Sequence, residues 1–354
     1  MGESGLKISI IVTCYNYDKY VRIAIDSALA QTYSNVEIIV VDDGSTDGSE
    51  AVIATYGGRI KSIRQSNQGH IAACNTGYME ATGDLVVFLD ADDVLFRNMA
   101  TEVAAAWTRN SAKVQYELDI IDGSGAYLGR KFCNFVDGYD ASRVNADFQS
   151  GGTYRWPVTV GNAYSKWFLD LMMPLTVALA PDGVLNTVAP VYGNVVTIVN
   201  SLASYRIHGN NLWASNGTDL ARLPDRIHHR QLEISILREH AARRGVSLPA
   251  ANPMDFEIAF INYRLMSLKL GARYVGMEAD SPIRLWMRGL ALMRSELTPW
   301  RMKVIHVVWL GVLVLSPRWL ASRLIALRFN RAVYLQPVRR TVTGMLRRVS
   351  GVAR

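Results

Sequence analysis

Two short acidic runs carry the most chemistry in this 354-residue chain. Asp42-Asp43 opens the segment DDGSTDGS, and Asp90-Ala91-Asp92-Asp93 follows LVVFL. Crowded carboxylates repel and raise one another's proton affinity, so such clusters call for a counter-charge. A bound divalent cation supplies one. Carboxylate oxygens suit Mg2+ or Mn2+ and not zinc, and these ions keep coordination sites open for substrate phosphates. A lone acid after a strand has a simpler use in a turn or a helix cap, and Asp47 and Asp84 are read that way.

The elements before each run must position it. Ile8–Val12, Val36–Val41 and Leu85–Leu89 are short apolar runs of strand character, and Lys61–Arg64 predicts one more strand. Between them, Val21, Ile25, Ala28 and Leu29 fall at helical spacing within 19–31. Helices are also predicted over Ser49–Tyr56, His70–Ala81 and 97–109. This β-α-β-α-β-α-β order predicts an α/β fold, a Rossmann-like, mostly parallel sheet with flanking helices. In such sheets ligands bind beyond the carboxyl ends of the strands, where both acidic runs fall. Leu118–Tyr205 is less regular, and 224–245 and 255–273 read as helices.

Hydrophobic residues make up 49% of the chain and charged residues 19%, enough for a packed core and against wholesale disorder. Cys14, Cys74 and Cys133 form no CxxC pair, so a reducing cytoplasm is the expected compartment. MGESGLKISIIVT reads as a first strand and not as a signal peptide. The net charge of +7 is a property of the tail. Leu297–Arg354 holds no Asp or Glu and eleven Lys or Arg; without those eleven, 27 basic residues stand against 31 acids. A nucleic-acid-binding domain would spread its basicity over the fold, so no nucleic-acid partner is expected.

Four segments occur in order at βα spacing: Thr13-Cys14-Tyr15-Asn16, VVDDGSTDGS, NQGHIAACNTGY and GDLVVFLDADD. A DxD alone is a weak motif, but this ordered set strongly resembles the inverting family 2 glycosyltransferases of GT-A fold. The resemblance covers roughly residues 7–110 and returns at Trp156–Ala163 and at SYRIHGNN, Ser204–Asn211. It implies a nucleotide-sugar donor, usually a UDP-sugar, and says nothing of the sugar. By this likeness Thr13 and Tyr15 line the base pocket, Asp43 hydrogen-bonds the base, and Asp90 contacts the ribose or donor sugar. Asp92 then holds the metal on the diphosphate, with Asp93 assisting, and His208 matches the family histidine near that diphosphate. Asn75 is read as organising its loop. Inverting transfer also needs a base for the acceptor hydroxyl. The family often uses the Asp of a Glu-Asp pair, whereas this chain reads Ala180-Pro181-Asp182-Gly183. Asp182 is the nearest acid to the expected place; its competing reading is a helix N-cap after Pro181.

These readings divide the chain into a GT-A domain over 1–215 and a helical C-terminal region over 216–354. The nucleotide half of the domain is about 1–110 and the acceptor half about 111–215. Residues from about 300 to 354 are expected to lie on an anionic membrane surface, because Val304–Ser316 is the most apolar stretch and arginines follow it. That stretch is too short to cross a bilayer. The expected location is cytoplasmic, peripheral on the inner face of the plasma membrane, with a glycan or lipid-linked acceptor. A processive polysaccharide synthase would share the donor site, but its usual QxxRW motif should follow the base, and here Arg155-Trp156 precedes Asp182. A dinucleotide-binding oxidoreductase would want GxGxxG after the first strand. A catalytically inactive nucleotide-sugar-binding module is the remaining alternative.

Overall fold

The computed structural model describes residues 5–176, 180–208, 222–294 and 300–329. The chain forms two compact units: Met1–Ile207 with Arg230–Pro253, and His208–His229 with Met254–Arg354. Arg230–Pro253 thus belongs with the first unit, a return that a division at residue 215 leaves out; residue 215 itself lies outside the described residues. The reason is packing. Arg230, Ile234, Leu237 and Ala241 are buried on one helix, and Nδ1 of His240 lies 2.7 Å from the Tyr192 hydroxyl.

In the first unit the early strands are β1 (Ile8–Cys14), β2 (Val36–Asp42), β3 (Lys61–Arg64) and β4 (Leu85–Asp90). They alternate with α1 (Val21–Leu29), α2 (Ser49–Ala54) and α3 (His70–Met79). β1 pairs in parallel with both β2 and β4, and β2 with β3. β1, β2 and β4 are rich in apolar and β-branched residues and largely buried because helices cover both sides, whereas β3 at the sheet edge is mostly exposed. Ile8, Ile10 and Val12 pack with Val21, Ala24 and Ile25 of α1. On the opposite face, Gly77 of α3 lies so close to Ile11 that an added Cβ would stand 2.3 Å from its Cγ2.

The sheet continues with β5 (Val94–Leu95), β6 (Ser111–Asp122), β7 (Tyr127–Lys131), β8 (Asn162–Ser165) and β9 (Asn194–Ile207). Its order is β3-β2-β1-β4-β8-β6-β9-β5, with β7 on β6. β8 runs antiparallel to both β4 and β6, whereas β6 and β9 are parallel. Around this half lie α4 (Met99–Ala106), α5 (Ala141–Gly151), α6 (Lys166–Met172) and α7 (Pro181–Tyr192). α8 (Leu223–Arg244) follows.

The second unit contains α9 (Ile258–Leu270), α10 (Pro282–Leu292), α11 (Trp300–Leu315) and α12 (Arg318–Phe329). Ile261, Leu265, Leu285, Leu310, Leu313, Ala321 and Ile325 form its core. Arg264 is buried between Asp255 and Asp280, a charge balance that makes its burial tolerable. Lys269 Nζ donates to the carbonyls of Val314 and Ser316, both at 2.9 Å, closing the carboxyl end of α11. Ser316 and Pro317 then separate α11 from α12.

Candidate active site

β1 is where the strand order reverses: β2 lies on one side of it and β4 on the other. The carboxyl ends beside such a reversal are the usual ligand site of these sheets. The register brings Thr13 opposite both Val41 and Asp90, and Cys14 opposite Asp42. Both acidic runs therefore meet the Thr13–Asn16 segment.

The loops after β1 and β2 are cross-linked. Asn16, at φ 60°, accepts from the Thr46 amide at 2.7 Å through Oδ1. Its own amide donates to Ser45 Oγ at 3.0 Å, and the Tyr17 amide donates to Ser49 Oγ at 3.0 Å. Tyr15 projects from this layer and is 42% exposed. Gly44 sits at φ 75°, and a Cβ there would lie 2.7 Å from the Asn67 amide nitrogen. Gly44→Ala combines left-handed strain with a backbone clash, so its melting temperature is expected to fall by several degrees. An unchanged melting temperature would contradict this packing.

Asp43 is buried, and it accepts from Gln65 Nε2 at 2.7 Å, the Gln68 amide at 2.9 Å and the Gly69 amide at 2.8 Å. Most of its acceptor capacity thus holds the loop that enters α3. Asp42 accepts from the Ser45 amide, while its Oδ2 lies 3.5 Å from Arg64 Nε. Asp47 and Asp84 serve turns and backbone: Asp47 accepts from the Ser49 amide and Asp84 from the Lys7 amide. Asn75 exchanges two hydrogen bonds of 2.9 Å with the Leu175 backbone.

Asp90 is half-buried, and its Oδ1 is 3.0 Å from His70 Nε2 and 3.5 Å from Thr13 Oγ1. Burial alone would discharge His70, but Cys74 and the Asp90 carboxylate hold its imidazole well above the usual value. Asp92 and Asp93 are both buried. Arg206 of β9 clasps this turn: its Nε donates to the Asp92 carbonyl at 2.7 Å and its amide donates to Asp93 Oδ1 at 2.9 Å. Asp93 Oδ2 is buried without a hydrogen-bond partner. Burial, then Asp92 and Asp90, push the Asp93 carboxyl well above the usual range. The Arg206 amide and guanidinium pull the other way.

No three His, Cys, Asp or Glu converge as a metal cage among the described residues. The donor set instead fits an ion held by one or two carboxylates and by phosphate oxygens, the habit of Mg2+. The carboxylates of this turn are Asp92 and Asp93, the latter with one buried oxygen that lacks a hydrogen-bond partner.

Asp182 lies in the first turn of α7. Ala180 is the N-cap and Pro181 follows it, so Asp182 is not the helix cap. It is buried; burial, then the Glu233 and Asp90 carboxylates, push it up to about 7 against the pull of His70. Beneath it, buried Lys113 donates to Asn162 and Asn186. Asp170, another acid of this half, is tied to Lys166 at 2.7 Å and to the Tyr78 hydroxyl.

Thr13, Tyr15, Asp43, Asp90, Asp92, Asp93 and Asp182 all belong to the first unit, whereas His208 is grouped with the second. Gly209, Asn210 and Asn211 of the SYRIHGNN segment lie outside the described residues. Sequence reasoning missed His70, Arg206 and Glu233. The first two stood inside quoted motifs, NQGH and YRIH; Glu233 carried no local signal.

The family model described as Glycosyl transferase family 2 matches residues 9–151. An uncharacterized glycosyltransferase of Nostoc sp. is 38% identical over 216 residues, covering 58% of this chain and 66% of that protein. Glycosyltransferase GlyA of Streptococcus pneumoniae is 39% identical over 121 residues, 33% of this chain and 16% of its own length. Among solved structures, S. aureus TarS 1–349 in complex with UDP-GlcNAc superposes with a TM-score of 0.53 at 16% identity, covering 94% of this chain and 92% of that one. This chain belongs to the family 2 glycosyltransferases, and it shares with TarS a GT-A-like fold. It spans 66% of the length of the Nostoc relative and less of the GlyA protein.

Proposed function

We propose that the protein is an inverting glycosyltransferase that moves a sugar from a UDP-sugar to a hydroxyl of a glycan or lipid-linked acceptor. The supporting observation is the meeting of Asp43, Asp90, Asp92 and Asp93 with Thr13 and exposed Tyr15 at the carboxyl ends of β1, β2 and β4. Tyr15 offers a face for the base, and Asp43 fixes the loop beside it through Gln65, Gln68 and Gly69. Asp90, oriented by His70, accepts hydroxyls of the ribose or donor sugar. Asp92, with Asp93, holds Mg2+ or Mn2+; when bound, this ion supplies Lewis-acid neutralisation of the departing diphosphate. Asp182 takes the acceptor proton as the acceptor oxygen attacks the anomeric carbon from the face opposite the leaving nucleoside diphosphate. The test is release of nucleoside diphosphate from a panel of nucleotide-sugars with Mn2+. Turnover of at least one is expected; no turnover and no nucleotide binding would overturn the reading.

Peripheral attachment to an anionic membrane accompanies this activity. On α11, Leu310 and Leu313 face the unit's core, while Trp300, Val304, Val308 and Leu315 are exposed at helical spacing on another face. Trp319 of α12 is exposed as well. A helix apolar on two faces has one to bury elsewhere. Arg301, Lys303, Arg318 and Arg323 flank it, each contributing about 1 kcal/mol near an anionic surface. No described helix is long and apolar enough to cross a membrane. The rest of the basic tail, 330–354, lies outside the described residues. Val304→Glu with Val308→Glu spares the core, so it should abolish flotation with phosphatidylserine vesicles while leaving the melting temperature in place. Flotation equal to that of the unaltered protein would refute attachment through this face.

A further inference from the structure

The Asp182 turn is backed by a second carboxylate from a distant element. Gly183 lies against Glu233 of α8: a Cβ on Gly183 would stand 2.1 Å from Glu233 Oε1 and 2.8 Å from its Cδ. Only a residue without a side chain lets that carboxylate press onto the first turn of α7. Glu233 is held there by Arg230, whose Nη1 lies 2.7 Å from Glu233 Oε2. Arg230 is in turn buried and fixed: Nη1 donates to Thr187 Oγ1 at 2.5 Å, Nη2 to Thr153 Oγ1 at 3.4 Å, and the guanidinium lies 5.9 Å from the centre of the Trp156 ring. Thr187 is itself on α7, so the same arginine ties the carboxylate to the helix that carries the base.

We propose, resting on the reading of Asp182 as the base, that Glu233 is a positioning residue whose Arg230-clamped carboxylate acts as the second carboxylate of the acceptor-deprotonating site. It supplies from α8 the negative charge that Pro181, the residue before Asp182, does not supply from α7. A like charge beside a carboxylate disfavours its ionised form and makes it a stronger base near neutral pH. The other charged or titratable groups facing Asp182 are Asp90 of β4, His70 of α3, Lys113 of β6, Tyr164 of β8 and Tyr205 of β9. Glu233 is the first carboxylate named among the charges that act on Asp182, ahead of Asp90.

Two variants test this. Glu233→Gln keeps the size of the side chain and removes its charge. Gly183→Ala keeps the Glu233–Arg230 pair and drives the carboxylate off the α7 turn. Each should move the acidic limb of the transfer rate to lower pH, by about one unit for Glu233→Gln, while the KM for the donor stays within twofold. Glu233→Asp should restore part of the displacement. A limb that stays in place in both Glu233→Gln and Gly183→Ala, while Asp182→Asn abolishes transfer, overturns the role of Glu233 alone. Near-normal transfer by Asp182→Asn overturns the reading on which it rests. If Glu233→Gln fails to fold, the limb of Gly183→Ala decides.

Discussion

Asp182→Asn is expected to slow transfer by a factor on the order of 10² to 10⁴, the usual contribution of a positioned proton acceptor. Asparagine keeps the size of the side chain and cannot accept the proton. Nucleotide affinity with Mn2+ should change little, because in the proposed reading Asp92 and Asp93 hold that end of the site. The wild-type rate should fall below about pH 7, where Asp182 is protonated, and the variant's residual rate should lose that limb. Stability should move the other way. The folded value of Asp182, about 7, lies above its ordinary 3.8, so the fold favours the neutral acid. The stability contributed by Asp182 is therefore complete below about pH 4 and is lost as the pH rises toward 7. Asparagine never ionises. The variant should gain relative stability across that window, by a few kcal/mol at most at pH 8. Paired measurements of transfer rate and melting temperature at pH 5 and pH 8 check both signs. Near-normal transfer would remove Asp182 from the chemistry, and a collapsed melting temperature would make it a structural residue.

Asp92→Asn is the second large effect. Removing one carboxylate from a site that holds its cation with one or two should cost on the order of 10²-fold in metal-supported turnover. EDTA should do the same to the unaltered protein. The variant should then be insensitive to EDTA, because the two changes remove one interaction. Turnover of the variant that still rises steeply with Mn2+ would show that Asp92 is not a principal ligand. The melting temperature should hold, since Arg206 clasps the turn through the Asp92 carbonyl and the Asp93 side chain.

The first half of the fold was legible because β1, β2 and β4 are short, apolar and rich in β-branched residues and each ends at a polar run. Lys61–Arg64 was placed at its observed bounds, and His70, Leu85 and Val36 begin their elements as read. Helix ends were less legible. The helix expected over 97–109 is Met99–Ala106, because Trp107 turns to an extended backbone. The second half was opaque because its sheet mixes directions. β8 is only four residues long and antiparallel to both neighbours, and β9 lies parallel to β6 across long connections. No local period encodes such pairings.

The same contrast holds for the site. Residues at strand ends were visible, since strand register alone places Thr13 opposite Asp90. Residues that act across the fold were not. Arg206 reaches Asp92 and Asp93 over more than a hundred residues of chain. Glu233 meets Gly183 because a helix that follows the whole sheet returns to it. A small clue was present in APDG, where glycine after the acid leaves room for a foreign side chain.

The most direct test of the metal-bound donor at the carboxyl ends of β1, β2 and β4 is calorimetric titration of UDP with Mn2+ and again with EDTA. The Asp90–Asp93 cluster predicts tight binding with Mn2+ and at least about tenfold weaker binding without it. Equal affinity in the two conditions would contradict it.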